Sequence, residues 1–317
     1  MAQAPLPQAV AALLTPAAVF LVLSIKPGKE AEKAVRATLA NMSALGRTVR
    51  FRNLHAEFTC VTGISAPAWK RLFPDLPHPK HLHKLQPIDG PDLAAPCPCV
   101  STPGDLLFHI RADQPYMCME MAMLIMDELR PHVTTDDETH GFKYFDDRDL
   151  LGFVDGTENP EGPAAVETVM VTADEDPNYV NSSYVIVQKY LHNLEKWNSF
   201  SVEKQEGIIG RHKLSNVELP DDKKPPYAHN VLNVIEKDGV QINILRDNMP
   251  FGFVGDNKLG TYYIAYAKNP ATTEEMLHNM FVGRPKGTYD HILDVSTPIT
   301  GTLFFIPTQD FLDNVQS

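Results

Sequence analysis

Val19-Phe20-Leu21-Val22-Leu23-Ser24-Ile25 runs almost directly into Gly28-Lys29-Glu30-Ala31-Glu32-Lys33-Ala34-Val35-Arg36-Ala37-Thr38-Leu39. The first stretch is short and apolar and reads as a buried strand. The second places Ala31, Ala34, Val35 and Leu39 at helical spacing. Working outward, Ala56 to Thr62 reads as a strand, and a loop rich in Pro and His runs from Phe73 to Gly104. Asp105 to Arg111 reads as a further strand, and Tyr116 to Leu129, dense in Met and Leu, as a helix. A short strand near Phe142 to Phe145 would close the unit. The second half repeats the pattern without visible identity. Ser183 to Tyr190 reads as a strand, Leu194 to Ile209 as helical, Asn230 to Glu236 and Val240 to Leu245 as a hairpin around Lys237-Asp238-Gly239. Thr261 to Tyr266 reads as a strand, Thr273 to Phe281 as a helix and Thr302 to Ile306 as the last strand. This βαββαβ order in both halves predicts an α+β protein of two ferredoxin-like units, each an antiparallel sheet with helices on one face.

At 317 residues the chain has room for two domains, drawn here as 1–150 and 151–317. Lys plus Arg number 28 against 40 Asp plus Glu, so the net charge is −12. Such a chain repels a polyanion, which argues against nucleic acid as a partner. With 43% hydrophobic and 21% charged residues it is not a disordered chain. The four cysteines, Cys60, Cys97, Cys99 and Cys118, do not make a disulfide scaffold and read as reduced thiols. Ala9 to Ile25 is nearly all apolar, but no basic residue precedes it and Pro16 interrupts it, so it is not read as a signal peptide. No stretch has the length of a membrane span. The expectation is a cytoplasmic protein that makes no use of a membrane.

Gly152-Phe153-Val154-Asp155-Gly156-Thr157-Glu158-Asn159-Pro160 is the sharpest local signal. Two glycines bracket an Asp, which permits close backbone approach to something bulky with the carboxylate displayed there; a plain surface turn is the competing reading. At the hairpin, a three-residue loop would pair Glu236 with Val240 and set His229 opposite Asp247 and Arg246 opposite Asn230. His229 and Arg246 would then fall at its open end on opposite faces, where a planar cofactor could be touched from two sides. His81-Leu82-His83 has strand-like ligand spacing, and with Cys97 and Cys99 it offers a zinc-hydrolase reading. Loop-forming prolines around it weaken that reading. The Met117 to Met126 helix reads as ordinary core.

The segment Gly152 to Pro160 resembles the GxxDG motif of dye-decolourising peroxidases, which bind haem b. The resemblance extends to Ser183 to His192, Ile208-Ile209-Gly210-Arg211 with Lys213-Leu214, Ala228-His229-Asn230, Leu245 to Gly252 and Thr300 to Pro307, and is similar to the bacterial B type. It covers roughly Leu21 to Pro307 and implies two ferredoxin-like units, with haem held mainly by the C-terminal one. It implies His229 as the iron ligand, backed by a carboxylate for which Asp294 is the candidate and Asp290 the alternative. It implies Asp155 as an acid–base group for hydrogen peroxide, Arg246 as the stabiliser of developing charge and Asn248 as an orienter of distal water. Gly156 and Thr157 would border the cofactor. Arg211 is the candidate partner of a haem propionate, with a surface ion pair as the alternative. The implied reaction is one-electron oxidation of dyes, phenols or other aromatic donors through a ferryl intermediate. The implied assembly is a homo-oligomer. Trp197 and Tyr190 are candidate electron relays, with a buried structural aromatic as the competing reading of each. A haem carrier or iron-releasing protein is the alternative function; it has no need of both Asp155 and Arg246.

Overall fold

The computed structural model describes residues 4–315. The N-terminal half runs β1 (Ala17–Ile25), α1 (Lys29–Phe51), β2 (Phe58–Ile64), α2 (Ala66–Leu72), β3 (Leu106–Ala112), α3 (Pro115–Leu129) and β4 (Val133–Phe142). Its strands stand in the order β4-β1-β3-β2, every neighbour antiparallel. Alternation along β1 decides the packing. Val19, Leu21 and Leu23 join the core beneath α1 and α3, whereas Ala18, Phe20 and Val22 point to the opposite face.

The C-terminal half runs α4 (Gly162–Val169), β5 (Ser183–His192), α5 (Leu194–Asn198), α6 (Val202–Ile209), α7 (His229–Leu232), β6 (Ile235–Lys237), β7 (Val240–Ile242), β8 (Leu245–Arg246), β9 (Met249–Phe253), β10 (Lys258–Ala267), α8 (Ala271–Phe281), β11 (Ser296–Pro298), β12 (Thr302–Ile306) and α9 (Gln309–Asp313). Its order, β12-β5-β10-β8 with β9 also on β10, matches the first half position for position. Pairing of Phe305 in β12 with Ile64 in β2 joins the two sheets into one of ten strands. The faces turned away from α1 and α3 meet, with Ala165 and Val169 of α4 in the same core. Phe20, Val61 and Leu107 from one half share a core with Tyr262, Ile264, Tyr266 and Phe304 from the other. The α+β class and the two antiparallel ferredoxin-like units follow the sequence reading.

Local expectations fared unevenly. The strand near Phe142 is its end, since β4 starts at Val133. The 194–209 segment is two helices, because Asn193 caps one by accepting from the Lys196 N–H (2.9 Å) and Ser201 caps the next. The hairpin is corrected most. Asp238 and Gly239 both take positive φ (54° and 75°), which makes a two-residue turn and pairs Lys237 with Val240. Its strands stop at Ile235 and Ile242. His229 therefore begins a helix, and Arg246 pairs with Ala265 of β10 instead of Asn230.

Candidate functional site

A cavity of about 290 Å³ opens in the C-terminal half, and His229, Asp155, Arg246 and Asn248 all line it. His229 sits at the first turn of α7. Its Nδ1 lies 2.6 Å from Oδ2 of Asp290. Asp290 is fully buried and caps the turn that follows it, its Oδ1 accepting the Ile292 N–H at 3.0 Å. Both carboxylate oxygens are thus committed, and one holds the imidazole. Burial disfavours the charged ring, but Asp290 outweighs burial and lifts the His229 pKa above the ordinary histidine value. The Nε2 of His229 has no hydrogen bond among the described residues, which leaves an imidazole nitrogen free for a ligand. The expectation that Asp294 supports this ring is corrected. Its Oδ1 accepts the Tyr289 hydroxyl at 2.9 Å, and Asp290 takes the place beside His229.

Asp155 and Asn248 meet elsewhere on the cavity wall. Asn248 Oδ1 accepts the Ile264 N–H of β10 (3.0 Å), so its NH₂ is turned to Asp155, 3.0 Å from Oδ2. Asp155 Oδ1 also accepts the Gly156 N–H at 2.7 Å. Arg246 has its main chain gripped by Asn159, whose Oδ1 accepts the Arg246 N–H (2.9 Å) while its NH₂ donates to the Arg246 carbonyl (2.6 Å). Its guanidinium forms no ion pair among the described residues, and its Nε is buried without a partner. A buried cationic donor left free beside a cavity suits a ligand that carries or develops negative charge.

The motif glycines serve its turn. Gly152 (φ 89°) leaves room for Lys213, whose Cε would lie 2.7 Å from an added Cβ, and an added Cβ on Gly156 (φ 79°) would press Asn159. Thr157 lines the cavity and accepts from Asn216 through its hydroxyl (2.9 Å). Arg211 also reaches the wall, where it is hydrogen-bonded to Glu158 and to the Asn216 carbonyl.

Three further cavity residues, given no role in the sequence reading, stand out. Asp149 lines the wall and accepts the Phe153 N–H (3.0 Å); burial, then repulsion from Asp155, raises its pKa to about 7. His192 lines it too, but Thr261 and Ser296 occupy both its ring nitrogens, and burial lowers its pKa to about 4. It stays neutral and has no nitrogen to spare for iron. Tyr263 is the third. Strand alternation was the available signal, since His192 follows the wall residue Tyr190 by two positions on β5. Tyr190 donates to Gln188 (2.9 Å). Trp197 is buried in a small apolar cluster and donates to the Leu151 carbonyl at 2.9 Å. His81 and His83 face different carboxylates, Glu175 and Glu274, and no metal-binding group of three or more His, Cys, Asp or Glu forms among the described residues.

An imidazole with a free nitrogen, a mainly apolar wall that includes Ile209, Ile244, Met276 and Met280, and an unpaired buried guanidinium together fit an iron porphyrin. The family model "Dyp-type peroxidase, N-terminal" matches residues 7–143, and "Dyp-type peroxidase, C-terminal" matches 146–311. A dye-decolorizing peroxidase of Rhodococcus erythropolis is 52% identical over 315 residues, 99% of this chain and 90% of the relative. One from Mycobacterium tuberculosis is 49% identical, covering 97% of this chain and 90% of its own length. Among solved structures, DyPB from Rhodococcus jostii RHA1 superposes with a TM-score of 0.94 at 47% identity, 98% of each chain covered. A variant of it in complex with heme superposes equally well, with a TM-score of 0.94 at 46% identity over 98% of this chain and 99% of its own. With both halves matched and relatives half identical along nearly the whole length, the chain belongs to the Dyp-type peroxidase family and is a haem peroxidase of the dye-decolorizing kind.

Proposed function

We propose that His229 is the iron ligand and that Asp155, Arg246 and Asn248 handle peroxide on the other side of the same cavity. As a haem peroxidase the chain uses peroxide and a reductant. Bound haem b supplies the redox-active iron at which peroxide is cleaved and donors are oxidised. Everything else is work for the chain's own groups. Asp290 accepts the Nδ1 proton of His229, which fixes the tautomer, turns Nε2 to the cavity and makes it a stronger donor. Asp155 takes a proton from one peroxide oxygen and returns it to the departing one. Arg246, with no carboxylate paired to it among the described residues, stabilises the negative charge that develops as the O–O bond breaks. Asn248 holds the Asp155 carboxylate in place.

Arg211 would hold a haem propionate, with Gly156 and Thr157 beside it on the wall. The working units are 1–150 and 151–317, with the haem-binding groups in the second. Bulky dyes and phenols are the donors, the assembly is homo-oligomeric, and nucleic acid plays no part for a chain of net charge −12. Four free cysteines support work in the cytoplasm. No helix among the described residues is long and apolar enough to cross a membrane.

The observation that carries the proposal is that a carboxylate-backed imidazole and an Asp–Asn pair with an unpaired guanidinium line one cavity. A haem carrier has no use for that second group. His229→Ala should lose or loosen haem. Asp155→Ala and Arg246→Leu should keep it and slow the reaction with peroxide by roughly 10²–10⁴-fold. Stopped-flow spectra in which both distal variants react at the parent rate would overturn the assignment.

A further inference from the structure

Arg246 and Asn248 lie two residues apart and both reach the cavity, so the residue between them must point away from it. That residue is Asp247, and its carboxylate is 2% exposed. It turns into the core between the two sheets and is met there by Arg111 of β3, whose NH1 donates to Asp247 Oδ2 at 2.7 Å. Arg111 is itself held fast: its Nε donates to Thr59 Oγ1 at 3.1 Å and its NH2 to the Ala9 carbonyl. His109, two residues earlier on the same face of β3, packs its ring on Phe20 and bonds Tyr266 through Nδ1 (2.8 Å). The guanidinium is 1% exposed. A rigid donor from the N-terminal half therefore grips the peptide segment that presents the distal groups, at a point 136 residues away in sequence. A charge buried this deeply cannot drift without giving up its ion pair with Arg111, and His109 Nε2 lies 3.6 Å from the same Asp247 oxygen, so the segment is held in place.

We propose that Arg111 is a positioning residue for the peroxide side of the cavity: through Asp247 it fixes the segment that carries Arg246 and Asn248. This gives β3, which lends no side chain to the cavity among the described residues, a part in the chemistry. The inference rests on the distal roles proposed above for Arg246 and Asn248.

The test uses the haem-loaded protein and four variants: Arg111→Met, Arg111→Lys, the double variant Arg111→Met/Asp247→Leu, and Arg246→Leu. Three quantities are read: melting temperature, the dissociation constant for cyanide as a small anionic probe of the distal side, and the second-order rate with hydrogen peroxide. Arg111→Met should weaken cyanide binding and slow the peroxide reaction by roughly tenfold or more, since a misplacement of about 1 Å costs about a hundredfold. Arg111→Lys, which keeps the charge, should recover most of both. The double variant carries no unpaired buried charge and should melt near the parent while staying slow. A double variant that regains parent cyanide affinity and peroxide rate would overturn the proposal. So would an Arg111→Met protein that melts lower but binds cyanide and reacts like the parent. If Arg246→Leu also leaves both readings unchanged, the distal reading itself fails; if only the Arg111 variants do, the failure belongs to Arg111 alone.

Discussion

Asp290→Asn is the substitution that most directly probes the ligand side of the cavity. Asparagine has nearly the same shape, so Oδ1 can still accept the Ile292 N–H, but an NH₂ that cannot accept the Nδ1 proton then takes the place of the carboxylate oxygen 2.6 Å from His229 Nδ1. The substitution removes both the charge and the hydrogen bond. A hydrogen bond to a buried charged group contributes about 1.5–3 kcal/mol. The carboxylate favours the more positive, oxidised iron, so its removal should raise the ferric/ferrous potential. At about 59 mV per tenfold change in a one-electron couple, the loss converts to roughly 65–130 mV. Spectroelectrochemical titration of the haem-loaded protein reads this, with Asp294→Asn as a control expected to stay at the parent potential. An unchanged or lowered potential in Asp290→Asn, or a rise confined to Asp294→Asn, would refute the reasoning. The haem-free protein gives an independent check. A histidine pKa raised on folding contributes stability that is full below its ordinary value of 6.5 and is lost as pH climbs through the raised value. Asp290→Asn should flatten that slope in a melting-temperature series.

Asp149, whose pKa is raised to about 7 by burial and by Asp155, binds a proton more tightly folded than unfolded, so its stability contribution falls as pH rises from about 4 to about 7. Asp149→Asn should therefore raise the melting temperature at pH 8 but not at pH 4; an equal shift at both would refute this. Trp197→Phe should leave turnover of bulky dyes unchanged while costing about 1–3 kcal/mol in denaturant unfolding, because the Leu151 carbonyl loses its buried donor. Asn159→Ala removes both hydrogen bonds to the Arg246 main chain and should slow the peroxide reaction roughly tenfold with the haem spectrum unaltered; a parent-like rate would show that the clamp is dispensable.

The regular elements were legible because their periodicity is strong. Val19 to Ile25 and Ser183 to Tyr190 both lie inside strands of the structure. What defeated the reading was backbone chemistry over one or two residues. Asp238 accepts a left-handed φ of 54°, which shortens the turn and shifts the register, and nothing in the alternation of the flanking residues announces it. His229 and Arg246 still line one cavity, carried by a helix and by β8 in place of one hairpin. The choice between Asp290 and Asp294 could not be made from spacing, since both lie in the short segment around a 3₁₀ turn and only the turn's direction sends one inward. The Arg111–Asp247 pair was invisible for a different reason: its members are 136 residues apart and come from different halves of the chain.

The strand latest in sequence among the described residues sits in the middle of the sheet. β12 lies between β5 and β2, so synthesis must reach Ile306 before either half can seal its open edge. Until then β2 and β5 present unpaired peptide groups, the kind of border along which nascent chains stick to one another. Slow emergence of Thr302–Ile306 is thus a moment of vulnerability written into the topology, and loss of those few residues would remove the strand that pairs with both halves.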